Sequence, residues 1–259
     1  MTDHILTSSE GGVLRLTFNR PDKKNAITAA MYADLADGLE KAEKDPSIRV
    51  VLFDSVGDIF TAGNDIADFM AGASTPSPSG EQPSVMRFLY NIATAEKSLV
   101  AAVQGGAVGV GVTMLLHCDL VYASEKATFK TPFVDLALVP EAASSLLMPQ
   151  GAGHQRAAEM LLAGKKIDAA RAREFGFVND VVAHDALAGI ALDAAENLAS
   201  KSPVSLQLSK KLMKGDRKAI LTRMEEEGVL FAERLQSADF QEAGMAFLQK
   251  RKPVFSNGG

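Results

Sequence analysis

The chain has 259 residues and a formal net charge of −5, with 47% hydrophobic and 23% charged residues. This is the composition of an ordinary globular protein, and its acidic balance gives no reason to expect nucleic acid or an anionic membrane as a partner. The single cysteine, Cys118, excludes an intrachain disulfide, and the lack of an 18-residue apolar run argues against a membrane span.

Strand and helix signals alternate through the first half of the chain, which predicts an α/β fold. Strands are predicted over 13–18, 48–54, 99–104, 120–122 and 127–130. Helices are predicted over 84–97, from Val112 onward, and where Ile27, Met31, Leu35 and Leu39 form an apolar stripe at a spacing of four residues. Residues 71–84 contain three prolines and almost no large apolar side chain, which predicts either a tolerated surface insertion or a lid.

Helical signals dominate after about residue 153. Gly164 and Gly176 are predicted to terminate helices, Ser202-Pro203 to begin one, and Asp239 with Glu242 to form a capping box. We therefore divide the chain into a core, 1–198, and a C-terminal helical region, 199–259. The apolar side of that region must dock on its own core or on a neighbouring subunit.

Several common chemistries find no support in the sequence. The four histidines are isolated, so no metal site is predicted, and neither a serine-hydrolase elbow nor a P-loop is present. A glycine cluster over 105–111 follows a strand and opens a helix. However, Met114 stands where the dinucleotide-binding fingerprint needs its third glycine, so that fingerprint fails.

Two turns, AGND at 62–65 and GVG at 109–111, each follow a predicted strand and open a helix. Small residues there allow either close packing of a helix on a sheet or backbone N–H groups left free to bind negative charge. A pair of N–H donors from separate loops is what an oxyanion hole requires.

Four segments in order carry a resemblance to a known family: FNRPDKKNAI (18–27), FTAGNDIADF (60–69), VQGGAVGVGVTMLLHCDLVYAS (103–124) and ATFKTPFVDLALVPEAASSLLMPQ (127–150). Together they resemble the enoyl-CoA hydratase/isomerase, or crotonase, superfamily, and within it the peroxisomal-type Δ3,Δ2-enoyl-CoA isomerases. The resemblance implies a crotonase-like spiral of ββα units followed by a helical trimerisation region, and hence a homotrimer or hexamer.

The resemblance also implies an acyl-CoA thioester as substrate, with coenzyme A as part of the substrate and no separate cofactor or metal. It implies that the thioester carbonyl is held by the backbone N–H groups of Asn64 and Val110. The further substrate-binding residues that it implies are Lys24, Ala62, Gly63, Asp65, Ile66, Gly109, Phe133 and Leu136. Lys252 is a candidate phosphate contact or a solvated charge at a helix end.

The resemblance implies two glutamates that activate water in the hydratases of this family, and this chain departs from that pattern with Thr113 and Phe133 at the two positions. Neither side chain can serve as a general base. Glu141 stands where the isomerases carry their single catalytic carboxylate. One base suffices to take a proton from C2 of a 3-enoyl thioester and return it at C4, without activation of water.

Alternatives remain open at the level of residues and of function. Glu141 can be read as a solvated turn residue, Asp65 as a helix cap, and Asp135 as a second functional acid. The alternative functions are an enoyl-CoA hydratase or another crotonase-type acyl-CoA reaction, and a non-catalytic acyl-CoA-binding module. The N-terminus lacks the features of a signal peptide and the C-terminus, SNGG, is not a peroxisomal address, so a cytoplasmic location is expected.

Overall fold

The computed structural model describes residues 3–70 and 82–255. Strands in these ranges form two sheets that share one large hydrophobic core. The strands are β1 (Ile5–Glu10), β2 (Val13–Phe18), β3 (Val50–Ser55), β4 (Ile59–Thr61), β5 (Ser98–Val103), β6 (Gly106–Val108), β7 (Leu120–Ser124), β8 (Thr128–Lys130), β9 (Ile167–Asp168) and β10 (Asp180–Val182).

The α-helices are α1 (Ala29–Lys44), α2 (Ile66–Met70), α3 (Ser84–Thr94), α4 (Val110–Thr113), α5 (Ser144–Ala152), α6 (His154–Leu161), α7 (Ala169–Glu174), α8 (Leu187–Ala199), α9 (Pro203–Lys214), α10 (Arg217–Leu235) and α11 (Ala238–Leu248). Short 3-10 helices cover Pro21–Lys23, Met114–His117, Val134–Leu136 and His184–Ala186.

From β3 to β8, consecutive strands go alternately to the two sheets, and this gives the fold its spiral form. The first sheet has the order β1-β2-β3-β5-β7-β10, and the second has the order β4-β6-β8-β9. The pairs β3/β4, β5/β6 and β7/β8 thus each add one strand to either sheet before the chain turns into helical structure. Pairing is parallel except for the hairpin β1/β2 and the edge pair β8/β9.

Both faces of the central strands are buried, as expected for a parallel sheet covered on both sides. Along β3, Val51 and Phe53 face the large core, whereas Val50 and Leu52 face a smaller cluster on the other side. Helix α8 closes that smaller cluster with its alanine-rich face. The near-continuous apolar run of this strand therefore reflects its position between two layers.

The C-terminal helices dock on the body of the same chain. Met224 of α10 and Phe240 of α11 are buried in the large core, and Lys210 of α9 makes a buried ion pair with Asp119 at 2.7 Å. Other apolar residues of this region stay exposed, among them Leu212 and Met213 at 82% and 86%.

The predicted helix signals are confirmed with one correction. Gly164 and Gly176 follow the ends of α6 and α7 with positive φ, and Ser202 caps α9 with proline at the first helical position. The capping box of Asp239 with Glu242 is wrong. Ser237 is the N-cap of α11, and its hydroxyl accepts from Phe240 N at 3.2 Å. Ser237 stands directly before the helix, where a short side chain reaches the free amides of the first turn, whereas Asp239 already lies inside that turn.

Strand β1 and the short strands β4, β6, β9 and β10 were not predicted, and α4 begins at Val110 rather than Val112. The segment predicted as an insertion or lid lies, up to residue 81, outside the described residues. Within the described residues, no helix combines the length and apolar character that crossing a bilayer requires.

Candidate active site

The candidate site lies at the carboxyl ends of three neighbouring parallel strands. The turn over 62–65 follows β4, the turn over 109–111 follows β6, and the segment 131–136 follows β8. Because β4, β6 and β8 pair side by side and in parallel, their carboxyl ends lie along one edge of the second sheet. Ligand sites in α/β folds commonly lie at such an edge.

The two glycine turns approach each other too closely for larger residues. A Cβ on Gly63 would lie 2.8 Å from the Val108 carbonyl oxygen, and one on Gly111 would lie 2.5 Å from Cγ2 of Thr61. Gly63 also has a φ of +85°, which side chains disfavour. Close helix–sheet packing, one of the two readings of this cluster, is therefore confirmed, and it brings the two turns together.

The same turns present the two backbone N–H groups implied by the resemblance. Ile27 forms a parallel bridge with Asn64, donating to Gly63 O at 2.8 Å and accepting from Asp65 N at 2.9 Å. The peptide N–H of Asn64 between them points to the opposite side of the segment. Val110 is the first residue of α4, where an N–H has no acceptor within the helix. Both residues line the same cavity.

Tyr32 secures the Asn64 side chain and was not singled out from the sequence. Its hydroxyl donates to Asn64 Oδ1 at 2.5 Å, and the residue is 3% exposed on α1. Burial, and then the negative charge of Glu141, raise the pKa of Tyr32 well above its usual value, so it remains a donor. A tyrosine beside Met31 in an otherwise apolar helix stripe was the available sequence signal.

Asp65 and Lys24 hold the loops rather than line the cavity. Asp65 accepts from Ala67 N and Asp68 N at the start of α2 and pairs with Arg20 at 2.6 Å, so its reading as a helix cap is confirmed. The hydrogen bond from Arg20 is the first cause that lowers the pKa of Asp65. The carbonyl of Lys24 accepts from Ala62 N at 3.0 Å, while its residue is exposed.

Glu141 is buried, and its reading as a solvated turn residue is wrong. It is 8% exposed, and Oε1 accepts a hydrogen bond of 3.0 Å from the Thr113 hydroxyl. Burial raises the pKa of Glu141 to about 7; the Thr113 hydrogen bond opposes this rise and the charge of Glu227 adds to it. Thr113 is the last residue of the single turn of α4, and Val110 is the first. The hydrogen bond from Thr113 therefore places the Glu141 carboxylate beside this turn.

The backbone that carries Glu141 has an unusual conformation. Ala142 and Ala143 have φ values of +57° and +55°, which non-glycine residues seldom adopt. On one side, His117 Nε2 lies 2.8 Å from Ala142 O, and burial lowers the pKa of His117 to about 4, so its neutral ring donates. On the other side, the Glu227 carboxylate accepts from Ala143 N at 2.6 Å.

Two cavities meet the site, and Phe231 of α10 lines both of them. The first, about 370 Å³, is bordered by the two glycine turns, the segment after β8, and α11. The sequence-predicted residues that line it are Ala62, Gly63, Asn64, Ile66, Gly109, Val110, Phe133 and Leu136. The basic residues Lys130 and Arg251 also border this cavity.

The second cavity, about 460 Å³, lies on the Glu141 side of Phe231, between α3 and α10. Met86, Leu89, Met224 and Leu235 provide part of its apolar lining. Its titratable lining residues are the acids Glu141, Glu225 and Glu227, and none of the described lining residues is basic. Residues beyond 199 thus line both cavities, whereas the sequence had indicated only Lys252 from that region as a candidate contact.

Asp135 is set apart from Glu141. It pairs with Lys130 at 2.8 Å and is half-exposed at the first cavity, whereas Glu141 borders the second. No group of three or more histidine, cysteine, aspartate or glutamate side chains in the described parts of the chain is arranged to hold a metal ion. Lys252 is exposed and lies between Arg251 and Pro253, which border the first cavity.

This alternation of strands between two sheets, with backbone donors at the ends of β4 and β6, defines a protein of the crotonase fold. The chain belongs to the enoyl-CoA hydratase/isomerase family, whose model matches residues 8–258. Enzymes of this family act on acyl-CoA thioesters. A solved enoyl-CoA hydratase/isomerase from Pseudoalteromonas atlantica T6c is 46% identical, with a TM-score of 0.92 over 98% of this chain and 100% of that one.

Relatives of this chain are named for different reactions. Enoyl-CoA delta isomerase 2 of Rattus norvegicus is 38% identical over 96% of this chain, which spans 64% of that protein's length. The 2,3-dehydroadipyl-CoA hydratase of Escherichia coli K12 is 32% identical over 97% of this chain and 98% of that protein. Family membership therefore does not define the reaction, which has to be argued from the site.

Proposed function

We propose that the protein is a Δ3,Δ2-enoyl-CoA isomerase with Glu141 as its single base. The observation that carries this proposal is the partner of the Glu141 carboxylate, which is the hydroxyl of Thr113 and not a second carboxylate. Hydration of the family type needs two acidic groups facing one water. Glu227 borders the same cavity as Glu141, but both of its carboxylate oxygens are engaged by backbone amides, accepting from Ala143 N and Ser145 N.

The reaction is a proton transfer along the acyl chain. The Glu141 carboxylate takes a proton from C2, and the electron pair of that C–H bond delocalises onto the thioester oxygen. The N–H groups of Asn64 and Val110 stabilise this oxyanion, each by about 3 kcal/mol. Protonated Glu141 then returns the proton to C4, and the double bond moves from C3–C4 to C2–C3.

The raised pKa of Glu141 suits both halves of this transfer. A carboxyl group with a pKa of about 7 is partly ionised at neutral pH and is also a competent acid after it has taken up a proton. The buried apolar side chains of Phe133 and Leu138 limit the access of water to the oxyanion intermediate.

The lining of the second cavity favours an acyl chain without charge. Its lining is apolar near Met86 and Leu89, and its charged lining residues are acidic. An acyl group that ends in a carboxylate, such as dehydroadipyl, would meet like charge there without a basic partner among the described lining residues. We therefore infer that the substrate carries an aliphatic chain that passes Phe231 into this cavity.

The test is conversion of 3-hexenoyl-CoA to 2-trans-hexenoyl-CoA, followed by absorbance of the conjugated thioester. Glu141→Gln should lower kcat at least about 100-fold, because the base is lost and the oxyanion donors remain. Glu233→Gln, an exposed change on α10, is the matched control. Full activity of the Glu141 variant, or water addition by the wild type without movement of the double bond, would refute the isomerase assignment.

We further infer that the protein forms a homotrimer or a hexamer in the cytoplasm. Leu212 and Met213 of α9 are each more than 80% exposed, and exposed large apolar side chains near one another are typical of subunit contacts. Replacement of both by lysine should reduce the mass in solution, measured by light scattering, to that of a monomer. An unchanged mass would exclude α9 from the subunit contact.

A further inference from the structure

The turn that follows Glu141 needs support from its surroundings. Ala142 and Ala143 both lie in the left-handed region, and Ser144 N closes the turn by donating to Glu141 O at 3.0 Å. Two consecutive alanines in this conformation persist only where neighbouring groups hold them. The direction of the Glu141 side chain depends on this turn, because the side chain leaves the backbone immediately before it.

Glu227 supplies that support from a distant part of the chain. Its two carboxylate oxygens accept from Ala143 N at 2.6 Å and from Ser145 N at 2.9 Å. The residue is 5% exposed, and these amides stand at the start of α5, where the helix dipole favours a negative charge. Arg223, one turn earlier on α10, donates to the Ser145 hydroxyl at 3.2 Å.

We propose that Glu227 is a positioning residue, which fixes the Ala142–Ala143 turn and thereby holds the Glu141 carboxylate toward the thioester. The proposal rests on the proposed role of Glu141 as the base. It assigns to the C-terminal helix α10 a part in the chemistry that lining a cavity does not require. Glu227 acts through the backbone and does not itself touch the substrate.

The charge of Glu227 also acts on Glu141. Among the described residues, Glu141 shares the second cavity with the acids Glu225 and Glu227 of α10, its charge acts on Tyr32 of α1, and Thr113 of α4 donates to it. Tyr32 stays protonated, and Arg223 faces Glu227 on the same helix. Loss of the Glu227 charge should therefore lower the pKa of Glu141 and move the acid limb of the pH–rate profile to lower pH.

Two variants of the full-length protein separate position from charge. Glu227→Gln removes the charge and one of the two acceptors, whereas Glu227→Asp keeps the charge but is one methylene too short to reach both amides. We expect kcat to fall about 10- to 100-fold in both, with KM changed less than about threefold. The acid limb should move to lower pH in Glu227→Gln and stay in place in Glu227→Asp. Glu233→Gln should match the wild type in every measurement.

The Glu141 carboxyl should also be titrated directly by NMR with 13C-labelled glutamate, assigned from the signal lost in Glu141→Gln. This measurement does not depend on turnover, so it reports on Glu227 even if Glu141→Gln keeps full activity and the proposed function fails. Where Glu227→Gln does not fold, Glu227→Asp decides the question through kcat against KM. Wild-type kcat and an unchanged Glu141 titration, or an equal loss of kcat and of coenzyme A affinity, would overturn the positioning role.

Discussion

The hydroxyl of Thr113 donates a 3.0 Å hydrogen bond to Oε1 of Glu141, and both residues are buried. A hydrogen bond of this kind favours the ionised carboxylate and so opposes the effect of burial. The result is a carboxylate that is held in one orientation by a group that cannot take up its proton. The hydroxyl of Thr113 therefore distinguishes this site from a site that activates water between two carboxylates.

Removal of that donor should make Glu141 a less ionised base at neutral pH. In Thr113→Val the pKa of Glu141 rises further, because the hydrogen bond that lowers it is gone while burial remains. Activity at pH 7 should fall about 3- to 10-fold, and the acid limb of the pH–rate profile should move to higher pH. Thr113→Ser keeps the hydroxyl and should retain the wild-type limb. An identical profile in Thr113→Val would contradict the assigned role of this bond.

The buried Glu141 carboxylate should cost the protein stability at alkaline pH. Its pKa is raised from 4.5 to about 7 in the folded state, so the folded chain loses stability as the pH rises between these values. Glu141→Gln should raise the free energy of unfolding at pH 8 by about 3 kcal/mol and change it little at pH 4.5. Urea titrations at both values measure the difference. Equal stabilisation at the two values would show that charge burial is not its cause.

A methyl group on Gly63 should disrupt the approach of the two turns. Gly63 has a φ of +85°, and its Cβ would lie 2.8 Å from the Val108 carbonyl oxygen. Gly63→Ala should cost about 1–3 kcal/mol of stability and lower kcat about 100-fold by displacing the Asn64 N–H. Gly189→Ala is the control, since a Cβ there meets open space on α8. Thermal melting and steady-state kinetics compare the two, and wild-type kcat in Gly63→Ala would argue against an oxyanion role for this turn.

Filling the second cavity should select against long acyl chains. Gly228 lines this cavity, and a Cβ there would lie 3.8 Å from Met86 Cε, in ordinary contact. In Gly228→Leu, kcat/KM for 3-decenoyl-CoA should fall about 100-fold more than for 3-hexenoyl-CoA. The two substrates differ by four methylenes, whose burial is worth about 3 kcal/mol. Gly228→Ala should discriminate little, and equal losses for both substrates would place the chain elsewhere.

Four ordered motifs, among them those around Gly63 and Gly109, carried the resemblance that predicted the fold, and the fold is confirmed. The same resemblance supplied the predictions of the backbone donors and of Glu141. The contributions of Tyr32, Phe231 and Glu227 could not be predicted in this way. They depend on contacts between elements far apart in sequence, and a tyrosine, a phenylalanine and a glutamate in helices look like ordinary core and surface residues.

Individual helix ends show the same division between local and distant effects. Ser202-Pro203 combined two independent signals and marked the start of α9 correctly. The Asp239–Glu242 pattern was a single local signal, and Ser237 took the capping position instead. Asp239 pairs with Arg234 of the preceding helix, a contact that a capping pattern does not reveal.

The bond between Glu227 and Ala143 joins residues that are 84 positions apart. At about 5–20 residues per second, a ribosome adds those positions in about 4–17 seconds. Throughout that interval the nascent chain carries Glu141 without the group that holds its turn. Catalytic activity should therefore appear only after α10 has left the ribosome and docked. A chain that ends before α10 would contain both proposed oxyanion donors and yet be inactive.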